Sequence, residues 1–152
     1  MGRVLSGRDD GKRVIPNVGV GAIIVRDRKF LLMKRRSAMG NQSWSTPGGY
    51  LEFGESFSAC AQREAEEEVG YAGEPFSFLG LTNDLFEARH FVTVWMISSA
   101  PPGWIVPSIS EEVAETGWFA LGDLPQPLFS PFSNLVAGAS EPEGALLDYF
   151  SR

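Results

Sequence analysis

The chain has 152 residues, of which 43% are apolar and 12% aromatic, so it can bury one hydrophobic core and we expect a single domain. Its formal charge of −6 argues against a nucleic-acid duplex as partner, because binding a phosphate backbone needs a concentrated basic surface. Its single cysteine excludes an intrachain disulfide, and no apolar stretch is long enough to span a membrane, which together favour a cytoplasmic location.

The first third of the chain predicts a leader and a β-hairpin. Residues 1–16 are polar and end at a proline, which is typical of a flexible leader, so the domain is assigned to residues 17–152. The apolar runs 17–25 and 30–36 are separated by the polar residues RDRK, which predicts a hairpin. A loop rich in Gly, Ser and Pro follows, and the string YLEF over 50–53 predicts a short strand.

A helix is predicted between Ser56 and Gly70. Serine is a good N-cap, glycine is a good residue just past a helix end, and the intervening FSACAQREAEEEV contains neither Pro nor Gly. One stripe of this helix is apolar and is expected to pack on a sheet: Phe57, Ala61, Ala65 and Val69.

The rest of the chain predicts three strands and one short helix. The strands are expected over 76–84, 90–99 and 116–121, the second being apolar on both faces as in a buried central strand. A proline at the start of 131–137 favours a helix there. Strands flanking a central helix, with a later helix, predict a mixed α/β sandwich.

The helix carries an acidic cluster. Glu64, Glu67 and Glu68 stand at i, i+3 and i+4, so their side chains share one face, whereas Glu66 points away. Like charges at this spacing repel, and a divalent cation reverses the sign of the interaction because Mg²⁺ and Mn²⁺ prefer carboxylate and phosphate oxygens. The alternative is a solvated helix face.

The spacing around this cluster resembles the signature of the Nudix hydrolase family. That signature is Gly, five residues, Glu, seven residues, Arg-Glu, two residues, Glu-Glu, one residue, Gly and an apolar residue. The matching residues are Gly49, Glu55, Arg63, Glu64, Glu67, Glu68, Gly70 and Tyr71. The two apolar slots hold Ala65 and Tyr71, which are smaller or more polar than the usual aliphatic residues.

The resemblance implies an α/β/α sandwich with a mixed central sheet and hydrolysis of a phosphoric anhydride with Mg²⁺, for which Mn²⁺ can substitute. It implies that Glu64, Glu67 and Glu68 are metal ligands, with Glu64 also a general-base candidate. Arg63 and Glu55 are expected to complete the catalytic set by orienting these carboxylates, although a surface ion pair is the alternative for Arg63.

Beyond the signature, the sequence resembles the MutT-type branch, which cleaves nucleoside triphosphates to the monophosphate and pyrophosphate. Arg35 matches a basic position that would reach the substrate phosphates, and the alternative is an ordinary surface arginine. Glu112 matches the position of an extra metal ligand, with Glu111 and Glu115 as competitors and a solvated loop as the alternative.

The substrate-binding residues expected besides Arg35 are glycines and candidates for packing on a base. Gly48 and Gly49 allow the backbone to approach a metal or a phosphate closely. The candidates for the base are Trp44, Phe86, Phe91, Thr93 and Phe129, each with a core role as its alternative. His90 is expected to be structural or to meet a base edge, and Cys60 to be a small buried residue.

Three alternatives stay open at the level of function. ADP-ribose or a nucleotide sugar is the second substrate class, although the window 85–88 lacks the proline or tyrosine that marks some sister branches. A non-catalytic nucleotide sensor is a third reading, which the complete set of glutamates disfavours. Both a monomer and a homodimer stay open, and in a homodimer the apolar tail over 128–136 is expected to supply the interface.

Overall fold

A hairpin near the start of the chain sets up the sheet in this computed structural model, which describes residues 8–9, 12–13 and 15–151. Strands β3 (Asn17–Arg26) and β4 (Lys29–Arg35) pair at Val25–Phe30 and Arg26–Lys29. The two residues between them have φ angles of 51° and 62°, the pattern of a type I′ turn. The predicted hairpin is confirmed.

The predicted leader is described only in part, since residues 1–7, 10, 11 and 14 lie outside the described residues. Its described part contains β1 (Arg8–Asp9) and β2 (Lys12–Arg13), which pair antiparallel with each other.

Beyond the turn, β3 and β4 pair with different strands. Strand β3 runs parallel to β8 (Arg89–Ser99), which pairs antiparallel with β7 (Ser77–Phe86), and β4 pairs antiparallel with β9 (Val113–Ala120). Between the two halves lie short strands: β5 (Trp44–Ser45) on β4 and β6 (Gly48–Tyr50) on β3. The result is a seven-stranded mixed sheet.

Strand β6 corrects the strand predicted over 50–53. The ladder ends at Tyr50, because the chain then turns at Glu52, whose carbonyl accepts from the Glu55 backbone N–H, and at Gly54, whose φ is +80°. A left-handed glycine next to a helix N-cap lets the chain reverse direction, which a continued strand would prevent.

Helix α1 (Phe57–Val69) begins and ends as predicted. Ser56 Oγ accepts from the Ala59 N–H at 3.0 Å, and Gly70 adopts the left-handed conformation with φ 67°. The apolar stripe needs one correction, because Phe57 is 44% exposed and Cys60 is the first buried residue. A row of i, i+4 positions rotates by about 40° per step around a helix of 3.6 residues per turn, so its first member leaves the buried face.

Helices cover both faces of the sheet. One core lies between the sheet and α1, and the other lies under α2 (Ser130–Val136) and α3 (Ala145–Phe150). The chain therefore has the predicted α/β/α sandwich, with α3 as an addition that the sequence did not predict. In the described part of the chain, no helix combines the length and the apolar character needed to cross a bilayer.

The tail over 128–136, the expected interface of a homodimer, packs partly into its own chain, and the homodimer stays a prediction. Phe132 is fully buried and Leu135 nearly so, both within the second core. Farther along, Glu141 exchanges two backbone hydrogen bonds with Leu81 of β7, at 2.8 and 2.9 Å. The C-terminal segment is thus used within its own chain.

Candidate active site

A cavity of about 530 Å³ opens where β3 and β4 diverge. Helix α1 contributes its acidic face, β6 its two glycines, β8 an aromatic and a polar side chain, and the start of α2 a further aromatic ring. The cavity is in the size range of small-molecule sites. Most of the residues predicted from the sequence as site residues line it: Arg35, Gly48, Gly49, Arg63, Glu64, Glu67, Glu68, Phe91, Thr93, Glu112 and Phe129.

Glu68 is the most buried carboxylate of the cavity, with 6% of its surface exposed. Its Oε1 accepts the Gly48 backbone N–H at 2.8 Å. Burial raises the pKa of Glu68 to about 8, and the charges of Glu64 and Glu112 add to the effect, while the Gly48 hydrogen bond and Arg35 oppose it. A carboxylate in this environment is stabilised by any additional positive charge.

Glu64 lies against the glycine strand from the helix side. Burial raises its pKa, and its hydrogen bond from Arg63 opposes that rise. A Cβ atom at Gly49 would lie 2.4 Å from Glu64 Oε1, so the absence of a side chain at 49 makes room for this carboxylate. Glycine at this position allows the close approach of Glu64, and the expected approach of the backbone to a metal or a phosphate stays a prediction.

Arg63 links the carboxylates of the signature. Its Nε and Nη2 donate to the two oxygens of Glu55, at 2.6 and 3.1 Å, and its Nη1 donates to Glu64 at 2.8 Å and lies 3.6 Å from Glu67. The Arg63 hydrogen bond is the main cause that lowers the pKa of Glu55 to about 2, and the same bond raises the pKa of Arg63. The bidentate pair fixes the guanidinium plane, so Arg63 is part of the site and not an isolated surface ion pair.

We expect Arg63→Lys to lower kcat about 10- to 100-fold, because lysine keeps the charge but loses the planar fork that holds Glu55 and Glu64 together. Steady-state kinetics at saturating metal measures the effect. Arg89→Lys is the matched control, because Arg89 is exposed at the start of β8. Turnover of Arg63→Lys within twofold of the parent would contradict the positioning role.

The donor set fits a hard divalent cation. Among the described residues, no three His, Cys, Asp or Glu side chains already form a metal-binding group. Arg63 lies 2.8 Å from Glu64 and 3.6 Å from Glu67. The buried Glu68 and the half-buried Glu64, both with raised pKa values, nevertheless share the cavity, and so does the buried Ser110 Oγ, which has no hydrogen-bond partner within the described ranges. All of these are oxygen donors, the type that Mg²⁺ and Mn²⁺ take.

The structure distinguishes the three acidic candidates of the loop before β9. Glu112 lines the cavity, and its charge acts on Glu64, Glu68 and Arg35. Glu115 instead faces Lys34, with 3.9 Å between Nζ and Oε1. Glu111 is exposed and, within the described part of the chain, is not among the lining residues.

We therefore expect Glu112→Gln to raise the Mg²⁺ concentration for half-maximal activity about tenfold, because one charge that favours the cation is removed. Glu111→Gln is the neighbouring control and is expected to leave the metal dependence unchanged. Titration of activity with MgCl₂ measures both, and equal behaviour of the two variants would remove Glu112 from the metal site.

Arg35 reaches the cavity from the end of β4. Its Nε donates to the Met39 carbonyl at 3.1 Å, its Nη2 donates to Ser37 Oγ at 3.2 Å, and its guanidinium carbon lies 4.0 Å from the centre of the Phe129 ring. Burial lowers the pKa of Arg35, while the charges of Glu68 and Glu112 oppose that fall. Arg35 is thus half-buried among these groups and lines the cavity, and its contact with substrate phosphates stays a prediction.

Aromatic rings of Tyr50, Phe91 and Phe129 line part of the cavity. Phe91 stacks on Tyr50 and on Phe86, and Phe86 meets the edge of Phe129. Tyr50 was not predicted as a site residue. Its place two residues after Gly48 in an alternating strand was the available signal, because residues i and i+2 share a face.

Three of the aromatic or polar candidates are not among the described residues that line the cavity. One is Phe86, whose ring instead contacts those of Phe91 and Phe129. Trp44 is buried in the second core, with its ring against Phe119, so in the described structure it is not part of the cavity lining and is withdrawn as a substrate contact. Trp44 lies in the short strand β5, and its side chain packs in the second core. His90 pairs with Asn83 across β7 and β8 at 2.6 Å, as a structural residue would.

Comparison with known proteins gives the same family by three routes. A family model described as NUDIX domain matches residues 15–137. An ADP-ribose pyrophosphatase of Methanocaldococcus jannaschii is 30% identical over 116 residues, 75% of this chain and 68% of that protein. The crystal structure of a MutT NUDIX hydrolase from Burkholderia pseudomallei has 38% identity and a TM-score of 0.68, covering 75% of this chain and 90% of that one.

Other relatives are longer. The NAD-capped RNA hydrolase NudC of Pseudomonas aeruginosa is 29% identical over 124 residues, which make up 81% of this chain but 44% of that protein. The chain therefore spans less than half of the length of this relative.

Proposed function

Because the chain belongs to the NUDIX domain family and is a hydrolase of phosphoric anhydrides, we propose that its substrate is a nucleoside triphosphate, cleaved to the monophosphate and pyrophosphate. The observation that carries this proposal is one cavity that is lined by a carboxylate cluster, the half-buried Arg35 and several aromatic rings. A charged phosphate chain and a flat base need these two environments side by side.

The metal ligands in this proposal are Glu64, Glu67 and Glu68, with Glu112 beside them. A bound Mg²⁺ or Mn²⁺ would neutralise phosphate oxygens and promote ionisation of the attacking water. Ser110, whose hydroxyl is buried at the same wall, is an additional oxygen donor that this cavity offers.

The chain's own residues supply proton transfer and charge. The water oxygen bonds to a phosphorus while the bond from that phosphorus to the bridging oxygen breaks. Glu64, whose pKa is raised by burial, accepts the proton of the water. The bridging oxygen keeps the electron pair and leaves as part of pyrophosphate, whose charge Arg35 neutralises. Arg63 holds Glu64 in place through the 2.8 Å hydrogen bond.

A substrate panel tests the proposal. The enzyme is incubated with the common nucleoside and deoxynucleoside triphosphates, ADP-ribose and several nucleotide sugars, with Mg²⁺ and with Mn²⁺, and the products are separated by ion exchange. We expect monophosphate and pyrophosphate from at least one triphosphate, with a higher kcat/KM than for any diphosphate-linked compound.

ADP-ribose is the second candidate, favoured by the relative from Methanocaldococcus jannaschii that is named as an ADP-ribose pyrophosphatase. AMP and ribose 5-phosphate as the fastest-formed products would replace the triphosphate proposal with this one. Tight nucleotide binding with no turnover under either metal would instead support a sensor.

A further inference from the structure

Two glycines of β3 are among the residues that line the cavity. In the parallel pairing of β3 with β8, Gly19 lies beside Thr93 and Gly21 beside Trp95. A Cβ atom at position 21 would lie 2.3 Å from the Trp95 ring, and one at position 19 would lie 3.9 Å from Thr93 Oγ1. Thr93 is among the residues that line the cavity, and 7% of its surface is exposed.

A buried carboxylate lies next to Thr93 and accepts its hydroxyl proton in a hydrogen bond. Asp84 of β7 has no exposed surface. Its Oδ2 accepts hydrogen bonds from Thr93 at 2.6 Å and from Thr82 at 2.9 Å, and its Oδ1 accepts one from the Asn134 amide at 2.8 Å. Thr82 Oγ1, which donates to Asp84, also accepts a hydrogen bond from the Trp95 indole N–H at 2.9 Å.

The direction of each of these hydrogen bonds is fixed by chemistry. An indole nitrogen only donates and a carboxylate only accepts, whereas a threonine hydroxyl has one proton to give. The proton of Thr93 is committed to Asp84, so the Thr93 oxygen can offer only lone pairs to the cavity. A ligand atom that meets this oxygen must be a hydrogen-bond donor.

We propose that Thr93 selects a hydrogen-bond donor on the nucleobase, an exocyclic amino group or a ring N–H, and that Asp84 is the positioning residue that imposes this choice. The inference rests on the proposed function in that the ligand is a nucleotide. Phosphate oxygens are acceptors and are excluded as partners of Thr93. The aromatic ring of Phe91, two residues before Thr93 on the same strand face, suits the flat face of a base better than a sugar.

Nucleoside monophosphates that differ in their donors test this proposal. The purine series is purine-riboside monophosphate, which has no N–H on its pairing edge, then AMP, IMP and GMP. The pyrimidine series is 2-pyrimidinone-riboside monophosphate, CMP and UMP. Binding is measured by calorimetry on the parent protein, on Thr93→Val and Thr93→Ala, and on Thr93→Ser, which keeps the hydroxyl.

In the series that the parent binds, we expect the member without a donor to bind about tenfold more weakly than the best member, since an unmet buried acceptor costs about that much. We expect this ratio to fall below about twofold in Thr93→Val and Thr93→Ala and to persist in Thr93→Ser. Thermal melts show which variants fold, and either of the two hydroxyl-free variants suffices.

The proposal is overturned if the parent binds members with and without donors equally, or if the ratio survives loss of the hydroxyl. It is also overturned if removal of the 2′-hydroxyl, and not of the base N–H, changes affinity in a Thr93-dependent way. Monophosphate binding does not depend on which anhydride is cleaved, so failure of triphosphate turnover leaves these ratios standing. Absence of binding by every monophosphate would overturn the proposal for Thr93, whereas the substrate panel tests the proposed function separately.

Discussion

Replacing Glu68 by glutamine is expected to lower kcat about 100- to 1,000-fold and, in the absence of metal, to make the protein more stable above neutral pH. Glutamine keeps the oxygen that accepts the Gly48 N–H but lacks the charge that we propose binds a cation. The same change therefore removes a functional group and relieves an unfavourable buried charge. Opposite effects on activity and stability are the mark of a ligand retained for function.

The pH dependence of this stability gain follows from the pKa of Glu68. That pKa is about 8 in the folded protein and has an ordinary value of 4.5, mainly because burial disfavours the charged form. The folded state holds the proton more tightly, so the stability of the parent is fully present below the ordinary value and is lost as the pH rises through 8. The advantage of Glu68→Gln should grow over this window to a few kcal/mol, an order-of-magnitude figure, and then level off.

Urea unfolding in EDTA at pH 5, 7 and 9 measures this difference, and kinetics with Mg²⁺ measures the loss of turnover. Glu66→Gln is the control, because Glu66 is exposed on the same helix and should affect neither quantity. A stability gap that does not change with pH would contradict the assigned role of burial. Turnover of Glu68→Gln within twofold of the parent would contradict the metal site.

Alanine substitutions at the two neighbouring glycines of β6 are expected to have different effects: Gly49→Ala lowers activity, whereas Gly48→Ala lowers stability. At Gly49 the new Cβ would lie 2.4 Å from Glu64 Oε1, and the carboxylate can swing away. We expect kcat/KM to fall about 10- to 100-fold while the free energy of unfolding changes by less than about 1 kcal/mol. At Gly48 the new Cβ would lie 2.4 Å from the Val20 carbonyl oxygen, which cannot move without β3. There we expect a loss of about 3 kcal/mol in stability.

The pair Gly49→Ala and Gly48→Ala is compared by urea unfolding and by kinetics at a temperature where both variants are folded. Gly54→Ala is a third comparison, because nothing lies near a Cβ at 54 and its cost comes only from the positive φ of 80°. Equal losses of stability in Gly48→Ala and Gly49→Ala would contradict the prediction that the Glu64 side chain moves away from a Cβ atom at position 49.

The local part of the site could be predicted from the sequence, whereas its distant part could not. The helix between Ser56 and Gly70 depends on caps and periodicity within 15 residues, and the pairing of Arg63 with its glutamates depends on spacing along that helix. The choice of Glu112 depends on the pairing of β4 with β9, whose register shifts between Lys34 and Arg35. That irregularity arises between strands about 80 residues apart in the sequence, so no local pattern encodes it.

The errors in the prediction share a physical cause. Trp44 and Phe57 are both large apolar side chains near the site, but one is turned into the second core and the other is exposed. Side-chain type alone does not specify which face of a two-residue strand or a first helical turn is buried, because tertiary packing decides it. Helix α3 was missed because six residues are too few for a clear periodicity.

The two hydrogen bonds between Leu81 and Glu141 bear on how separate molecules behave toward one another. Strand β7 is the last strand on its side of the sheet, and the unpaired edge of such a strand is a template for another chain. The C-terminal segment occupies this edge at Leu81, and the glycine at 80 lets it approach, since a Cβ there would lie 2.9 Å from the Glu141 carbonyl oxygen. The tail thereby protects the protein from strand-to-strand aggregation, and a chain shortened before residue 140 would lose that protection along with part of its second core.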